Sequence, residues 1–319
     1  MRHAAWVLLF CALPAHAWER TKNSAGMCLW WQARSHTFQI DAQGTPDAPT
    51  AETYGAIRKS FQTWAAVQCT DLVLTEEPLS TAPADRKIGY FQPGFNHNLV
   101  LFRTRACRDV VPAGDVCRTQ GGCGNLYDCW DDISANTAHG SGVIASTTTT
   151  SNRLTGEILD SDIELNDSPP PTGTKFTFTT VDGLPCTTAG QTGCVWIDVQ
   201  NTVTHEAGHS LGLDHTTDPR ATMYASAPSG QTSKRILGSD DISGICTIYL
   251  RGAPTVTCVP PAQSGGCGCS PGQSGPGSVL ATLAVLLQIA RRSRRRPQIA
   301  ITASKNPASK ALRDHGTRS

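Results

Sequence analysis

The segment HEAGHSLGLDH, residues 205–215, contains three histidines, a glutamate and a glycine at a fixed spacing. On a helix, residues four apart return to nearly the same face, so His205 and His209 can offer two ring nitrogens to one metal ion. Gly212 lets the chain leave the helix in a left-handed conformation, and His215 can then return as a third ligand. Three protein ligands leave a fourth position for water, which is typical of catalytic zinc. The segment therefore predicts one Zn²⁺ ion with Glu206 beside it as general base.

This segment resembles the zinc-binding motif of the metzincin metallopeptidases, and it is most similar to the matrixin branch, the matrix metalloproteinases and their bacterial relatives. Met223, eight residues after His215, corresponds to the Met-turn of that family, a tight turn that lies as an apolar floor beneath the metal. Tyr224 directly follows Met223, whereas the zinc-binding tyrosine of other metzincin branches comes two places after the methionine. We therefore do not assign Tyr224 as a ligand.

The resemblance implies an α+β fold. It implies a metzincin-like catalytic domain with a mixed, mostly parallel twisted sheet, an active-site helix and a closing C-terminal helix. It also implies hydrolysis of peptide bonds in a protein or peptide that binds as an additional extended strand at the sheet edge. We expect residues 225–238 to shape the pocket that receives the side chain after the cut bond. No cysteine-switch segment is found, and His36, His97 and His139 lack the His-x-Asp setting of a second, structural zinc. We expect one zinc per chain, and we interpret these histidines as surface or hydrogen-bonded side chains.

Hydrophobic periodicity places the main elements along the chain. Apolar residues at helical spacing from Tyr54 to Ala65 predict a helix capped by Thr50, and the zinc-binding helix is expected over residues 198–211. Strands are expected at residues 72–75, 88–91 and 99–102, and a hairpin at 145–166, with its second strand corresponding to the edge strand beside the cleft. The closing helix is expected within residues 237–250. Ser239 is its expected cap, Asp240 and Asp241 lie at its positive end, and one face is formed by Ile242, Ile245 and Tyr249.

Asp160 and Asp162 alternate along the second strand of the predicted hairpin. Carboxylate oxygens are ligands that Ca²⁺ prefers, so calcium is one interpretation. Solvated strand carboxylates are the favoured one.

The N-terminal segment and the cysteines indicate export. Residues 1–17 combine Arg2, a short apolar run and a small-residue cleavage site, which together predict a secretory signal peptide. Of thirteen cysteines, Cys11 lies in this segment, so twelve remain. Export and an even number favour disulfides, up to five of them within the domain, with a pairing that the sequence leaves open. A metal site is the alternative for Cys107, Cys117, Cys123 and Cys129. Cys28 could gate the zinc, but a disulfide is favoured.

The predicted peptidase domain covers residues 18–251 and is followed by a Gly/Pro/Ser/Cys-rich linker, residues 252–278. A short apolar run and an arginine cluster follow in residues 279–296, and residues 297–319 form a basic tail that we expect to be disordered. The paired cysteines, the apolar run and the arginines resemble the C-terminal sorting tail of exported myxobacterial proteins. This resemblance implies transient membrane association through the tail and delivery to the cell envelope surface or the outside. A buried or amphipathic C-terminal segment is the alternative.

Charge separates the two parts of the chain. Residues 291–319 are strongly basic, whereas residues 18–290 carry an excess of about eight negative charges, which the near-neutral total conceals. A nucleic-acid partner would require a basic patch on the folded domain, so nucleic-acid binding is excluded. We expect a monomeric zinc endopeptidase. A non-catalytic surface binding or adhesion protein on the same scaffold is the alternative, although such a protein would not need Glu206.

Overall fold

A twisted five-stranded sheet is the centre of the molecule. The computed structural model describes residues 17–258 except 92, 93, 95, 135–138, 141 and 189. Its strands are β1 (Glu19–Arg20), β2 (Ser35–Ile40), β3 (Val73–Glu76), β4 (Leu99–Arg103), β5 (Ala145–Ser151), β6 (Ile158–Asn166), β7 (Phe178–Thr179), β8 (Ile197–Asp198) and β9 (Leu213–Asp214). Its α-helices are α1 (Thr50–Ala65), α2 (Cys107–Val110), α3 (Cys117–Gln120), α4 (Cys123–Tyr127), α5 (Val199–Ser210) and α6 (Ser239–Ile248).

The strand order is β3-β2-β4-β6-β5. Three of the four pairings are parallel, and only the β5–β6 hairpin is antiparallel. Parallel strands need long crossover connections, and α1 lies between β2 and β3 in the sequence. The predicted α+β fold with a mixed, mostly parallel sheet is therefore confirmed.

Helices α1 and α5 pack against each other and bury the apolar stripe that the sequence predicted. Ile57 and Trp64 are fully buried, and the indole Nε1 of Trp64 donates to the Thr204 carbonyl of α5 at 2.8 Å. The rings of Phe38 on β2 and Phe61 on α1 stack at 3.8 Å. The expected cap is wrong, because Pro49 precedes the helix and Thr50 is already its first residue.

Two of the three predicted strands form, at 73–76 and 99–103, each shifted or extended by one residue. The strand predicted at residues 88–91 is wrong. Gly89 adopts φ +92° there, and its N–H donates to the Asp162 carboxylate rather than to a neighbouring strand.

The hairpin at 145–166 is confirmed, but its strands occupy other positions than expected. The first strand, β5, is the sheet edge, whereas β6 lies between β4 and β5. Strand β6 is therefore paired along both edges, and the side chains of Asp160 and Asp162 are buried. Asp162 accepts N–H bonds from Gly89 and Leu99, and burial raises the pKa of both carboxyls. The solvated interpretation is wrong, whereas calcium binding by this pair stays a prediction.

Five disulfides join the ten cysteines expected to pair. They are Cys28–Cys258, Cys69–Cys246, Cys107–Cys129, Cys117–Cys123 and Cys186–Cys194. The second of these closes 177 residues of chain, and the fourth closes 6. The alternatives of a cysteine metal site and of zinc gating by Cys28 are therefore wrong. We call residues 107–129, which carry α2, α3, α4 and two of the bridges, the cysteine-rich insertion.

The closing helix α6 begins differently from the prediction. Gly238 precedes it and donates its N–H to the Asp241 carboxylate at 2.7 Å, so Ser239 is not the cap. Ile245 and Tyr249 are fully buried, whereas Ile242 is 40% exposed and does not share their face.

The chain continues to contact the domain after residue 251. Val256 donates its N–H to Ile248, and Cys258 is bonded to Cys28. The chain divides after Ala262 into two units, and the second, Gln263–Ser319, lies outside the described residues together with the predicted signal peptide up to residue 16. In the described part of the chain, no helix is long and apolar enough to cross a membrane.

Candidate metal centre

Helix α5 places the first two candidate ligands on one side and its apolar residues on the other. Asp198 caps the helix, its carboxylate accepting the N–H of Asn201 at 2.7 Å. The predicted core face, Val199, Val203, Ala207 and Leu211, is buried. His205 and His209 lie on the opposite side, one turn apart, with their rings 4.8 Å from centroid to centroid.

Gly212 turns the chain back toward the helix. Its φ is +91°, and a Cβ at this position would lie 2.5 Å from the Leu29 carbonyl oxygen. A residue with a side chain would therefore meet both a strained backbone and a clash. The turn leads into β9, after which His215 returns toward the two histidines of α5, as the spacing predicted.

The three imidazoles converge at their Nε2 atoms. The Nε2 of His215 lies 3.2 Å from that of His205 and 3.2 Å from that of His209. The Nδ1 atoms of His205 and His209 face the carbonyl oxygens of Thr222 at 2.6 Å and Leu213 at 2.9 Å. Because a carbonyl oxygen can only accept, each Nδ1 carries the proton, and the Nε2 lone pairs face one another.

Such an arrangement of acceptors is repulsive unless a cation lies between them, so the donor set fits a metal ion. Burial lowers the pKa of all three imidazoles, which keeps them in the neutral form that binds metal. The backbone acceptors at Nδ1 also fix the orientation of two rings. Among the described residues, these three histidines are the one group with a metal-ligand arrangement.

The Met-turn, residues 221–224, lies beneath the histidines. Met223 is buried against Gly208 of α5, where an added Cβ would lie 2.2 Å from the methionine sulfur. The turn is held from α6 by Asp241, whose carboxylate accepts the N–H groups of Thr222 at 2.7 Å and Met223 at 3.0 Å. With the bond to Gly238, one buried carboxylate satisfies three backbone donors. We call this arrangement the Asp241 clamp.

Glu206 is buried next to the triad, on the helix turn that carries His205. Its Oε2 accepts a hydrogen bond of 2.7 Å from the hydroxyl of Thr147 on β5. The pKa of Glu206 is raised to about 7, because the effect of burial exceeds the opposing effect of the hydrogen bond from Thr147. A carboxylate whose pKa lies near neutrality is suited to take up and release a proton.

Two cavities meet at the histidines. One, of about 510 Å³, follows the outer side of β5, and the other, of about 390 Å³, extends below residues 142–145. Glu206 and His215 line both cavities. The far wall of the smaller one includes Ala225, Ala227 and Lys234, within the segment expected to shape the pocket. Together the cavities form a cleft that crosses the metal centre along an unpaired strand edge.

Three functional positions escaped the sequence reasoning. Thr147 was seen only as part of a Thr-rich strand, and Asp241 only as a helix-end charge. Lys234 is 3% exposed and donates to the Tyr224 carbonyl, and burial lowers its pKa to about 8. A lysine between Ser233 and Arg235 has no apolar pattern around it, so the sequence holds no signal for its burial.

The other histidines lie apart from the metal centre. His97 contacts Glu77, and the Nε2 of His139 lies 2.7 Å from Glu164. The ring of His36 is buried 4.4 Å from that of Trp31. Burial, the largest cause, lowers the pKa of His36 to about 4. The interpretation as surface or hydrogen-bonded side chains holds for His97 and His139, each of which contacts a carboxylate, and for His36, which is hydrogen-bonded to the backbone of Ala33.

The fold and the arrangement of the histidines agree with those expected of a metzincin-type domain, and part of the chain is similar to known proteins of one branch. Residues 140–250 match the model of the matrixin family, peptidase family M10. Human matrilysin is 48% identical over 46 residues, 14% of this chain and 17% of matrilysin. Metalloendoproteinase 1 of Glycine max is 48% identical over 52 residues, 16% of this chain and 17% of that protein. Human neutrophil collagenase is 53% identical over 45 residues, 14% and 10% of the two chains.

The chain thus matches less than a fifth of the length of each of these relatives. The matched region contains the three histidines, Glu206, the Met-turn and α6. Residues 140–250 are therefore similar to the matrixin family.

Proposed function

We propose that the chain is a zinc-dependent endopeptidase that hydrolyses peptide bonds within proteins or peptides. The observation that carries the proposal is the convergence of three neutral imidazoles at their Nε2 atoms, with a buried carboxylate on the adjacent residue. The similar proteins include a metalloendoproteinase and a collagenase, which supports the same reaction class.

His205, His209 and His215 would hold the zinc ion. The bound ion supplies Lewis-acid polarisation of the scissile carbonyl and lowers the pKa of water. Glu206 takes a proton from the attacking water as the new carbon–oxygen bond forms. When the carbon–nitrogen bond breaks, Glu206 returns that proton to the leaving amine, so no covalent bond to the protein is formed. The Thr147 hydroxyl holds the carboxylate in place during both transfers.

The substrate would bind in an extended conformation along β5. This strand is the sheet edge, so its outer backbone groups are available for pairing, and the cleft runs beside it. Backbone pairing of this kind supplies affinity, while alternate side chains enter pockets that supply specificity.

We propose further that the chain acts as a monomer outside the cytoplasm, at the cell surface or free. Five disulfides support an oxidising compartment. The predicted signal peptide, the linker and the C-terminal sorting tail with its transient membrane association remain part of this proposal, as does the single zinc. Calcium at Asp160 and Asp162 was the less favoured interpretation and is not part of it.

The proposal is tested by comparing the full-length protein with Glu206→Gln and His209→Ala. We expect one zinc per wild-type chain and cleavage of unfolded casein that a chelator abolishes. Glu206→Gln should keep its zinc and lose activity by about 10³-fold or more, since the proton acceptor is removed while the ligands remain. His209→Ala should lose both zinc and activity.

The three proteins also separate the alternative functions. A Glu206→Gln variant with full activity would show that another group is the base and overturn the mechanism. A zinc-loaded wild type that cleaves neither casein nor a peptide library would favour the non-catalytic binding protein.

A further inference from the structure

Lys234 lies at the inner end of the smaller cavity of the cleft. It belongs to the 3-10 turn Ser233–Arg235, and its own N–H donates to the side chain of Asn201 on α5 at 2.8 Å. The side chain is 3% exposed and lines the cavity of about 390 Å³ together with His205 and Glu206. The turn therefore fixes a cation within the pocket that adjoins the metal centre.

The ammonium group of Lys234 lacks a matching carboxylate. It has three N–H donors, of which the Tyr224 carbonyl accepts one. The Nδ1 of His205 lies 3.4 Å away, but it carries a proton that is directed to Thr222, so it is not an acceptor. Among the described residues, Lys234 forms no ion pair within 4.0 Å.

The two carboxylates near Lys234 are committed to other partners. The carboxylate oxygens of Asp241 accept the three N–H groups of the clamp, and the carboxylate of Glu206 accepts a hydrogen bond from the Thr147 hydroxyl. The remaining wall is uncharged and is formed by Ala225, Ser226, Ala227, Thr202 and residues 142–145. Neither carboxylate contacts the ammonium group directly, although the charges of Glu206 and Asp241 act on it from a greater distance. An anion that enters the cavity therefore gains a direct charged hydrogen bond that the protein does not supply.

The cavity is placed to receive a substrate side chain. It opens at Glu206 and His215, where the scissile bond would lie, and it is bounded by the start of β5, along which the substrate would run. The segment 225–238, which forms its other wall, is the one that the sequence indicated for the side chain after the cut bond. That side chain therefore enters the cavity with Lys234 at its end.

We propose that Lys234 is a specificity residue that selects substrates with an acidic side chain, Glu or Asp, directly after the cleaved bond. The inference rests on the proposed peptidase function and names its substrate class. A glutamate side chain would present its carboxylate to the free donors of Lys234, whereas the isosteric glutamine would supply no charge. If Lys234 merely braced the Tyr224 carbonyl, its removal would affect all substrates alike.

The test uses two peptides that differ only in Glu or Gln after the cut bond, assayed at pH 7 with the full-length zinc-loaded protein. We expect kcat/KM for the Glu peptide to exceed that for the Gln peptide by about tenfold or more. In Lys234→Met this ratio should fall to about one or below, because Glu206 then repels the substrate carboxylate. Lys59→Met, which removes the charge of an exposed lysine on α1, should keep the wild-type ratio.

The ratio is taken within each protein, so a general loss of activity or folding in Lys234→Met cancels. Equal cleavage of both peptides by the wild type overturns the inference, and so does an unchanged ratio in Lys234→Met. If the wild type cleaves both peptides equally, the Lys234 inference fails while the peptidase proposal stands.

A binding measurement covers the case in which neither peptide is cleaved. Zinc-loaded Glu206→Gln and Glu206→Gln/Lys234→Met are titrated with both peptides. A preference of about tenfold for the Glu peptide that disappears without Lys234 supports the acidic-side-chain pocket even though the peptidase proposal has failed. Equal binding of both peptides overturns the pocket assignment as well.

Discussion

The Met-turn and the cysteine-rich insertion are both short segments that lack a long helix or strand of their own, yet they are held in different ways. The Met-turn is fixed from outside, by the Asp241 clamp and by contact with Gly208 of α5. The insertion is fixed from within, because two disulfides link its three short helices and its four buried cysteines form a small core with Val111.

This difference reflects what each segment does. Three ring nitrogens must meet at one point, and the floor beneath them must be positioned by the same elements that carry the ligands. The Met-turn is therefore coupled to α5 and α6. The insertion contacts the sheet through a few ion pairs, such as that of Asp128 with Arg103 on β4 at 2.8 Å. We infer that the insertion can change without disturbing the metal centre.

The largest expected effect is the loss of stability when a disulfide is removed, either one that fixes α6 to a distant part of the chain or one that lies within the cysteine-rich insertion. Cys69–Cys246 joins the region after α1 to α6 across 177 residues, whereas Cys117–Cys123 closes 6 residues within the insertion. The loop-closure entropy of the unfolded chain then predicts losses of about 5 and about 2 kcal/mol when each pair is replaced by alanine. Urea denaturation of the full-length variants measures the free energy of unfolding.

Zinc content and casein cleavage at 25 °C sharpen the same comparison. Cys117→Ala/Cys123→Ala should keep both close to wild-type values. Loss of zinc from this variant would show that the insertion supports the metal centre and would end the distinction drawn above.

Removal of the Asp241 clamp is the next largest change. Asp241→Ala leaves the buried N–H groups of Thr222, Met223 and Gly238 without an acceptor, which should lower the free energy of unfolding by about 3 to 5 kcal/mol. Zinc affinity should fall with it, because the Thr222 carbonyl that orients His205 belongs to the released turn.

The neighbouring Asp240→Ala is the matched control. Asp240 lies in the same helix turn but accepts only the N–H groups of Ala17 and Trp18, at the edge of the domain. Asp240→Ala should lower the free energy of unfolding by about 1 kcal/mol and leave the zinc affinity unchanged. Equal effects of the two variants would show that charge at the α6 end, rather than the clamp, stabilises the turn.

The sequence predicted the convergence of the three histidines better than their surroundings, because local rules govern the positions of these residues. Residues four apart on a helix share a face whatever else the chain does, and Gly212 marks the turn that brings His215 back. The α1 stripe and the hairpin are likewise periodic over a single element. Each of these patterns requires only its own few residues.

The burial of polar side chains and the disulfide pairing depend instead on which helices, strands and loops pack against one another. Asp160 and Asp162 were expected in solvent because their strand was assigned to the sheet edge, and its inner position reverses their environment. The burial of Lys234 depends on how residues 225–238 fold back against α5. The disulfide pairing depends on the meeting of segments as distant as Cys28 and Cys258, for which the sequence carries no local pattern.

The smallest expected effect concerns Thr147, whose hydroxyl connects the edge strand β5 to Glu206 on helix α5. Its bond stabilises the charged form of Glu206, so Thr147→Val should raise the pKa of Glu206 above about 7. Because only the ionised carboxylate can act as a base, the acid limb of the kcat/KM profile should move to higher pH, with a loss of about tenfold at low pH that vanishes in alkali. Thr147→Ser should restore the wild-type profile, and Thr149→Val, two residues along the same strand with its hydroxyl 3.3 Å from Ser161, should leave it unchanged. A uniform loss at every pH would mean that Thr147 positions Glu206 without changing its pKa. An unchanged profile would group the edge strand with the insertion, as a region on which the three histidines and Glu206 do not depend.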